Sequence, residues 1–294
     1  MSKEMVTAWL ENEKQRFEKM AKDIWDHPQI AYEETYAASL QMKQLETAGF
    51  SVQANVAGIE TAFVAEYGAG KPILGVMGEY DALPGLSQAV SPTYEPLEED
   101  GPGHGCGHNL LGTAGVAAVL ALKEQMGNGE ISGTIRYYGC PAEEVLSGKS
   151  FMARTGVFDD LDCVLTWHPG SSNLVVNMSM QSAASVKFHF KGITAHAAGA
   201  PHAGRSALDA VEIMNVGANY LREHVVDGTR IHYVITNGGL APNVVPEEAS
   251  VWYYVRGASK EAVEEVLERV KKMRGRCRNN DGDKLCDGTT RLLL

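Results

Sequence analysis

No part of this 294-residue chain stays apolar for the roughly 20 residues that a bilayer-spanning helix needs, so no membrane partner is expected. Basic residues are the scarcer charge, 26 Lys and Arg against 37 Asp and Glu. A formal charge of −11 repels a phosphate backbone, which argues against nucleic acid as a partner. The opening Met1-Ser2-Lys3-Glu4 leads into no apolar core before a small-residue cleavage site, so no secretory signal is expected. Five cysteines, at 106, 140, 163, 277 and 286, are odd in number and scattered. They form no disulfide framework, and a reducing cytoplasm suits them best. Histidine is missing after His232. What remains is an ordinary globular balance, 44% hydrophobic and 21% charged, in a chain long enough for two domains.

The apolar spacing of residues 5–25 predicts one amphipathic helix, ended by His27-Pro28. A second helix is predicted over 33–48 and stopped by Gly49. Strands are predicted at 50–56, 61–67 and 73–77, the last wholly apolar, as in a strand buried on both faces. Residues 88–102 hold Pro92, Pro96, Pro102 and three consecutive acids, an irregular loop long enough to carry function. A helix over 110–126, strands at 134–138 and 164–166 and a short helix at 151–158 follow. Strands alternating with helices imply a mostly parallel sheet, whose ligands gather beyond the carboxyl ends of the strands. Near residue 180 the pattern changes. Strand 185–191, helix 206–223, strands 229–235 and 249–255 and helix 259–273 give the order β-α-β-β-α, a ferredoxin-like unit without its last strand. The expected domains are 1–181 and 182–273. The tail 274–294 has almost no periodicity and is expected to pack poorly.

The chemistry-bearing stretch is Gly103-His104-Gly105-Cys106-Gly107-His108-Asn109, a thiol and an imidazole two residues apart on a glycine-rich turn. Pro141-Ala142-Glu143-Glu144 and Thr166-Trp167-His168-Pro169 also sit just past strands, as does Asp81. Together they suit a two-metal hydrolytic site. In that reading Cys106 bridges two cations, His108 and His168 supply nitrogens, and Glu144 ligates. Glu143 takes the proton from the attacking water, and Asp81 holds a ligand imidazole in the right tautomer. Each residue taken singly has a plainer reading. Cys106 would be a small core residue. His104 would be a solvated loop residue, Glu143-Glu144 an acidic pair at a helix N-terminus, and His168 a strand cap. A Cys106–histidine nucleophile pair would leave the glutamates without a role. A phosphate cradle lacks the preceding strand. In the second domain, His196 follows the first strand and suits an oxyanion. Asn243 and Arg256 suit a substrate carboxylate, the planar guanidinium matching two oxygens.

Tyr80-Asp81-Ala82-Leu83-Pro84, the Cys106–His108 turn, Pro141-Ala142-Glu143-Glu144 and Ala195-His196-Ala197-Ala198 resemble the metallo-amidohydrolases that include hippurate hydrolase and the indole-acetyl-amino-acid hydrolases. The likeness runs in order from the first helix to about Met273. It implies an α/β fold: a zinc-peptidase-like mixed sheet flanked by helices, with a ferredoxin-like α+β lid that dimerises. It also implies two divalent cations, manganese or zinc, held by Cys106, His108, Glu144 and His168, with Glu143 as general base. His196 would complete the site of a homodimeric partner, and Asn243 and Arg256 would read the substrate. The implied reaction is hydrolysis of a small N-acyl amino acid such as p-aminobenzoyl-glutamate.

The chain departs from that pattern at its end. Members of the family supply one more metal histidine near the C-terminus, and the last lid strand is absent here. Truncation or a frameshift replacing the C-terminal segment is therefore expected, and the encoding DNA would show it. The alternative to an enzyme is a non-catalytic remnant that binds metal weakly or pairs through its lid.

Overall fold

The computed structural model describes residues 3–129, 131–175 and 179–276. Two compact units, Met1–Leu174 and Val175–Leu294, divide the chain just ahead of the expected boundary at 181/182.

The first unit opens with α1 (Lys3–Asn12) and α2 (Lys14–Asp26), where one helix was expected. Glu13 breaks them with a non-helical backbone. Packing explains the break: α1 has no fully buried residue and lays only a half-buried Trp9 on the core, whereas α2 seats Met20, Ala21 and Ile24 in the interior. Next come α3 (Thr35–Thr47), β1 (Ser51–Ala54), β2 (Phe63–Ala69), β3 (Ile73–Gly78), α4 (His108–Gly127), β4 (Gly133–Gly139), α5 (Gly148–Arg154) and β5 (Cys163–Leu165).

The sheet order is β1-β2-β4-β3-β5. The expectation of a mostly parallel sheet is corrected: β1–β2 and β2–β4 are antiparallel, while β3–β4 and β3–β5 are parallel. The connections account for this. A connection of eight residues with one 3-10 turn, and no crossover helix, joins β1 to β2, whereas α4 makes the crossover between β3 and β4 that a parallel pair requires. Ile24, Leu45, Phe63, Val116, Val119 and Tyr137 belong to the core between the sheet and α2–α4. Val64, Tyr138 and Met152 form a smaller cluster. Gly78 pairs with Gly139, and Val76 pairs with Leu165. The chain therefore leaves β3, β4 and β5 along one edge, and residues 79–84, 140–147 and 166–169 start side by side.

The second unit contains β6 (Ser182–Lys191), α6 (Ala207–Leu221), β7 (Arg230–Asn237), β8 (Glu248–Gly257) and α7 (Lys260–Arg276), with antiparallel order β6-β8-β7. Alternation along β6 buries Val186, Phe188 and Phe190 in one core with Val211, Met214, Val263 and Val266. Ser206 caps α6 by accepting a hydrogen bond from the Asp209 N–H. No fourth strand extends this sheet among the described residues. The expected end of the last helix at 273 is corrected to Arg276, and the rest of the tail, 277–294, lies outside the described residues. Among the described residues no helix is long and apolar enough to cross a membrane.

Candidate metal centre

The turn that carries Cys106 and His108 is built on Gly107, the N-cap of α4, at φ +80°. A Cβ there would also lie 2.9 Å from Pro169 Cγ, so the backbone and the neighbouring loop both demand glycine. Gly112, one turn into α4, lets the helix approach the end of β3: a Cβ would stand 2.6 Å from the Glu79 carbonyl oxygen. That approach seats His108 against residues 79–81.

Cys106 Sγ lies 3.2 Å from His168 Nε2. His168 Nδ1 donates to the Pro169 carbonyl at 2.9 Å, which leaves a lone pair on Nε2. His108 Nδ1 lies 2.9 Å from Asp81 Oδ1 and 3.1 Å from the Asp81 carbonyl, so Nδ1 bears the proton and Nε2 is free. Asp81 Oδ2 accepts the Glu144 N–H at 2.8 Å. One buried carboxylate thus ties α4 to the loop after β4. The donor atoms of Cys106, His108 and His168 lie within 4.8 Å of one another, as do those of Glu79, His108 and Glu143.

These residues fit a divalent cation. His108 Nε2, Glu79 Oε2 and Glu144 Oε1 are buried with no hydrogen-bond partner. Orphan acceptors of this kind are costly in a protein interior unless something positive joins them. Sulfur, imidazole and carboxylate are the donor set that zinc takes, and manganese accepts the harder members.

Burial pushes the Cys106 thiol up to about 11, and the charges and hydrogen bond of Glu144 add to it. A nucleophilic cysteine needs the opposite environment, which disfavours the Cys–His nucleophile reading. Burial also raises Glu144, with Asp81 and Glu143 adding and His108 opposing. For His108, burial favours the neutral ring, but the Asp81 hydrogen bond and the surrounding carboxylates outweigh it and hold it above its ordinary value.

The adjacent glutamates diverge around His108. Glu143 Oε2 lies 3.8 Å from Nε2 and Glu144 Oε1 lies 3.8 Å from Nδ1. The loop that bears them is braced by Glu34, which is fully buried. Its Oε1 accepts the Ala142 N–H at 2.8 Å, and its Oε2 accepts the Thr61 hydroxyl at 3.0 Å. Ala142 itself has φ +56°, a left-handed backbone uncommon for alanine.

Glu79 and its partner Lys149 escape a motif reading. Glu79 had one signal: it stands two positions before Asp81, and this spacing puts both on one side of an extended segment while Tyr80 goes into the core. His104 is corrected from a solvated loop residue to a buried one, packed where the glycine-rich turn meets the inside of the unit. Burial pushes its imidazole down to about 4, and it joins neither donor group.

In the second unit, His196 and Asn243 come together: His196 bridges to Val244, and the Ala197 N–H donates to the Asn243 carbonyl at 3.0 Å. His196 Nδ1 accepts the N–H groups of Ala198 and Gly199, at 3.2 and 3.0 Å, so the proton resides on Nε2. Arg256 stands apart from this pair, at the far end of β8, with its guanidinium 5.7 Å from the Tyr254 ring centroid.

Residues 179–276 match the M20 peptidase dimerisation domain. The chain is 49% identical over 271 residues to a subunit of the p-aminobenzoyl-glutamate hydrolase of Escherichia coli (strain K12), covering 90% of this chain and 55% of that protein. Residues 179–276 are thus an M20 peptidase dimerisation domain. The fold of the chain is shared with solved structures that include an M20 peptidase. An aminobenzoyl-glutamate utilization protein from Klebsiella pneumoniae superposes with a TM-score of 0.71 at 21% identity, over 98% of this chain and 77% of that one. The Bacillus subtilis YXEP protein, described as a dinuclear metal binding peptidase, superposes with a TM-score of 0.63 at 19% identity, over 95% and 74%. The chain spans about half the length of the curated relatives it matches, 55% and 58% of the first two.

Proposed function

We propose that the chain carries the machinery of a metal-dependent amidohydrolase that cleaves the amide of an N-acyl amino acid, with p-aminobenzoyl-glutamate as the substrate to try first. The observation that carries this reading is the free Nε2 of His108, buried between a thiol–imidazole pair and two carboxylates. The names of the Escherichia coli and Bacillus subtilis relatives support the substrate and the use of two metal ions.

Cys106, His108, Glu144 and His168 are the residues we assign to two divalent ions, manganese or zinc. When bound, such ions acidify water and polarise an amide carbonyl. Glu143 Oε2 takes the proton of the attacking water and returns it to the departing amine nitrogen. Asp81 fixes the His108 tautomer. His196 offers its Nε2–H to the oxyanion of the substrate held by the other protomer. Asn243 is assigned to the substrate carboxylate, and Arg256, at the far end of β8 from it, to a substrate contact of its own. Residues 1–181 form the catalytic domain in this reading, and 182–273 the lid through which a homodimer forms. The free thiols of Cys106, Cys140 and Cys163 suit a cytoplasmic location.

The test is turnover of p-aminobenzoyl-glutamate and hippurate by the purified chain with added manganese, beside metal analysis. Turnover that disappears in Glu143→Ala while the metal content stays constant supports the enzyme. Fewer than two ions per chain and no turnover would favour a non-catalytic remnant.

A further inference from the structure

We propose that Glu79 is an additional metal ligand, sharing an ion with His108, and that Lys149 is the counter-charge built in for it. This rests on the metal reading above and adds to it a carboxylate and a lysine.

Glu79 is only 6% exposed, and its two oxygens are in different situations. Oε1 accepts a hydrogen bond from Lys149 Nζ at 2.5 Å. Oε2 has no hydrogen-bond partner and lies 3.2 Å from His108 Nε2, which has none either. Because Asp81 occupies His108 Nδ1, Nε2 is the ring atom left for a ligand bond, and it presents a lone pair once its proton is displaced. At that distance, away from water, the two atoms must share a proton or a metal ion, and the affinity measurement below reads whether the metal takes the proton's place. Bonds of about 2.1 Å from one ion to nitrogen and to oxygen, at angles between square and tetrahedral, separate the two donors by about 3.0–3.4 Å. The observed 3.2 Å falls in that interval.

A salt bridge to Lys149 alone would explain Oε1 and leave Oε2 orphaned in the interior. The charge balance points the same way. Glu79, Asp81, Glu143 and Glu144 all face His108, and among the described residues Lys149 is the one lysine or arginine that forms an ion pair with any of them. Lys149 pins Oε1 and offsets one negative charge, leaving Oε2 directed at the ion.

The experiment compares the full chain with Glu79→Gln, Glu79→Asp and Lys149→Met. Zinc and manganese affinity is read by competition with a chelating dye, and thermal melting is followed with and without metal. Glu79→Gln is expected to weaken binding by about tenfold or more with little change in the melting of the metal-free chain, and Glu79→Asp to recover part of the loss. Lys149→Met is expected to lower the metal-free melting temperature and to enlarge the rise produced by metal. Unchanged affinity in Glu79→Gln, with Glu79→Gln and Lys149→Met losing equal stability with and without metal, would reduce the pair to a structural salt bridge and overturn the inference alone. If the unaltered chain takes up no ion, the metal reading falls and this inference falls with it.

Discussion

Asp81 does two jobs with two oxygens, orienting the ring of His108 and holding the Glu144 N–H. An asparagine has one acceptor and would turn its amide N–H toward one of those donors. Asp81→Asn is therefore expected to weaken zinc or manganese binding by about 10–100-fold, measured by chelator competition. The position of Asp81 was legible in the sequence because it stands just past the apolar run of a strand. Glu79 was not, because its meaning depends on Lys149, which is distant in sequence. His104 was misread for a related reason. Composition shows a glycine-rich turn, but only the packing of the first unit decides which of its side chains goes inside.

Glu34 acts at the scale of a loop. Burial holds its carboxyl above the ordinary 4.5, with its hydrogen bonds opposing. A carboxyl raised by folding stabilises the fold fully below its unfolded value, and that contribution is lost as pH rises through the raised value. Glu34→Gln should escape this loss, so its melting temperature relative to the parent is expected to climb as pH rises from below 4.5 toward neutrality. Glu34→Ala should instead cost about 1–3 kcal/mol in urea unfolding, because the buried Ala142 N–H loses its acceptor. Glu143 would shift with it and turnover would fall. Periodicity made most helices and strands legible, including the amphipathic character of 5–25. It could not show the break at Glu13, which follows from what each half packs against. Nor could alternation of elements reveal the antiparallel pairings of β2, which depend on which strands lie beside it in the sheet.

At the scale of the molecule, the cores of the two units share no residue among the described residues. Phe188 is buried in the second, and Phe188→Ala is expected to destabilise that unit by about 3–5 kcal/mol in urea unfolding while metal uptake by the first unit stays as before. The change of pattern near residue 180 has a physical cause, since a switch to half-exposed alternation marks a sheet covered on one face. The segment from β3 to Asp81 has a further property, a matter of phase. Tyr80 is buried, with its hydroxyl on the Thr61 carbonyl, while the acids on either side of it turn toward His108. Removing a single residue from Ile73–Gly78 would swing the phenol into the polar cavity and drive both acids into hydrocarbon. Outside Gly75 and Gly78, where a Cβ would strike Leu161 and Tyr137, that stretch should accept other aliphatic residues but only one length.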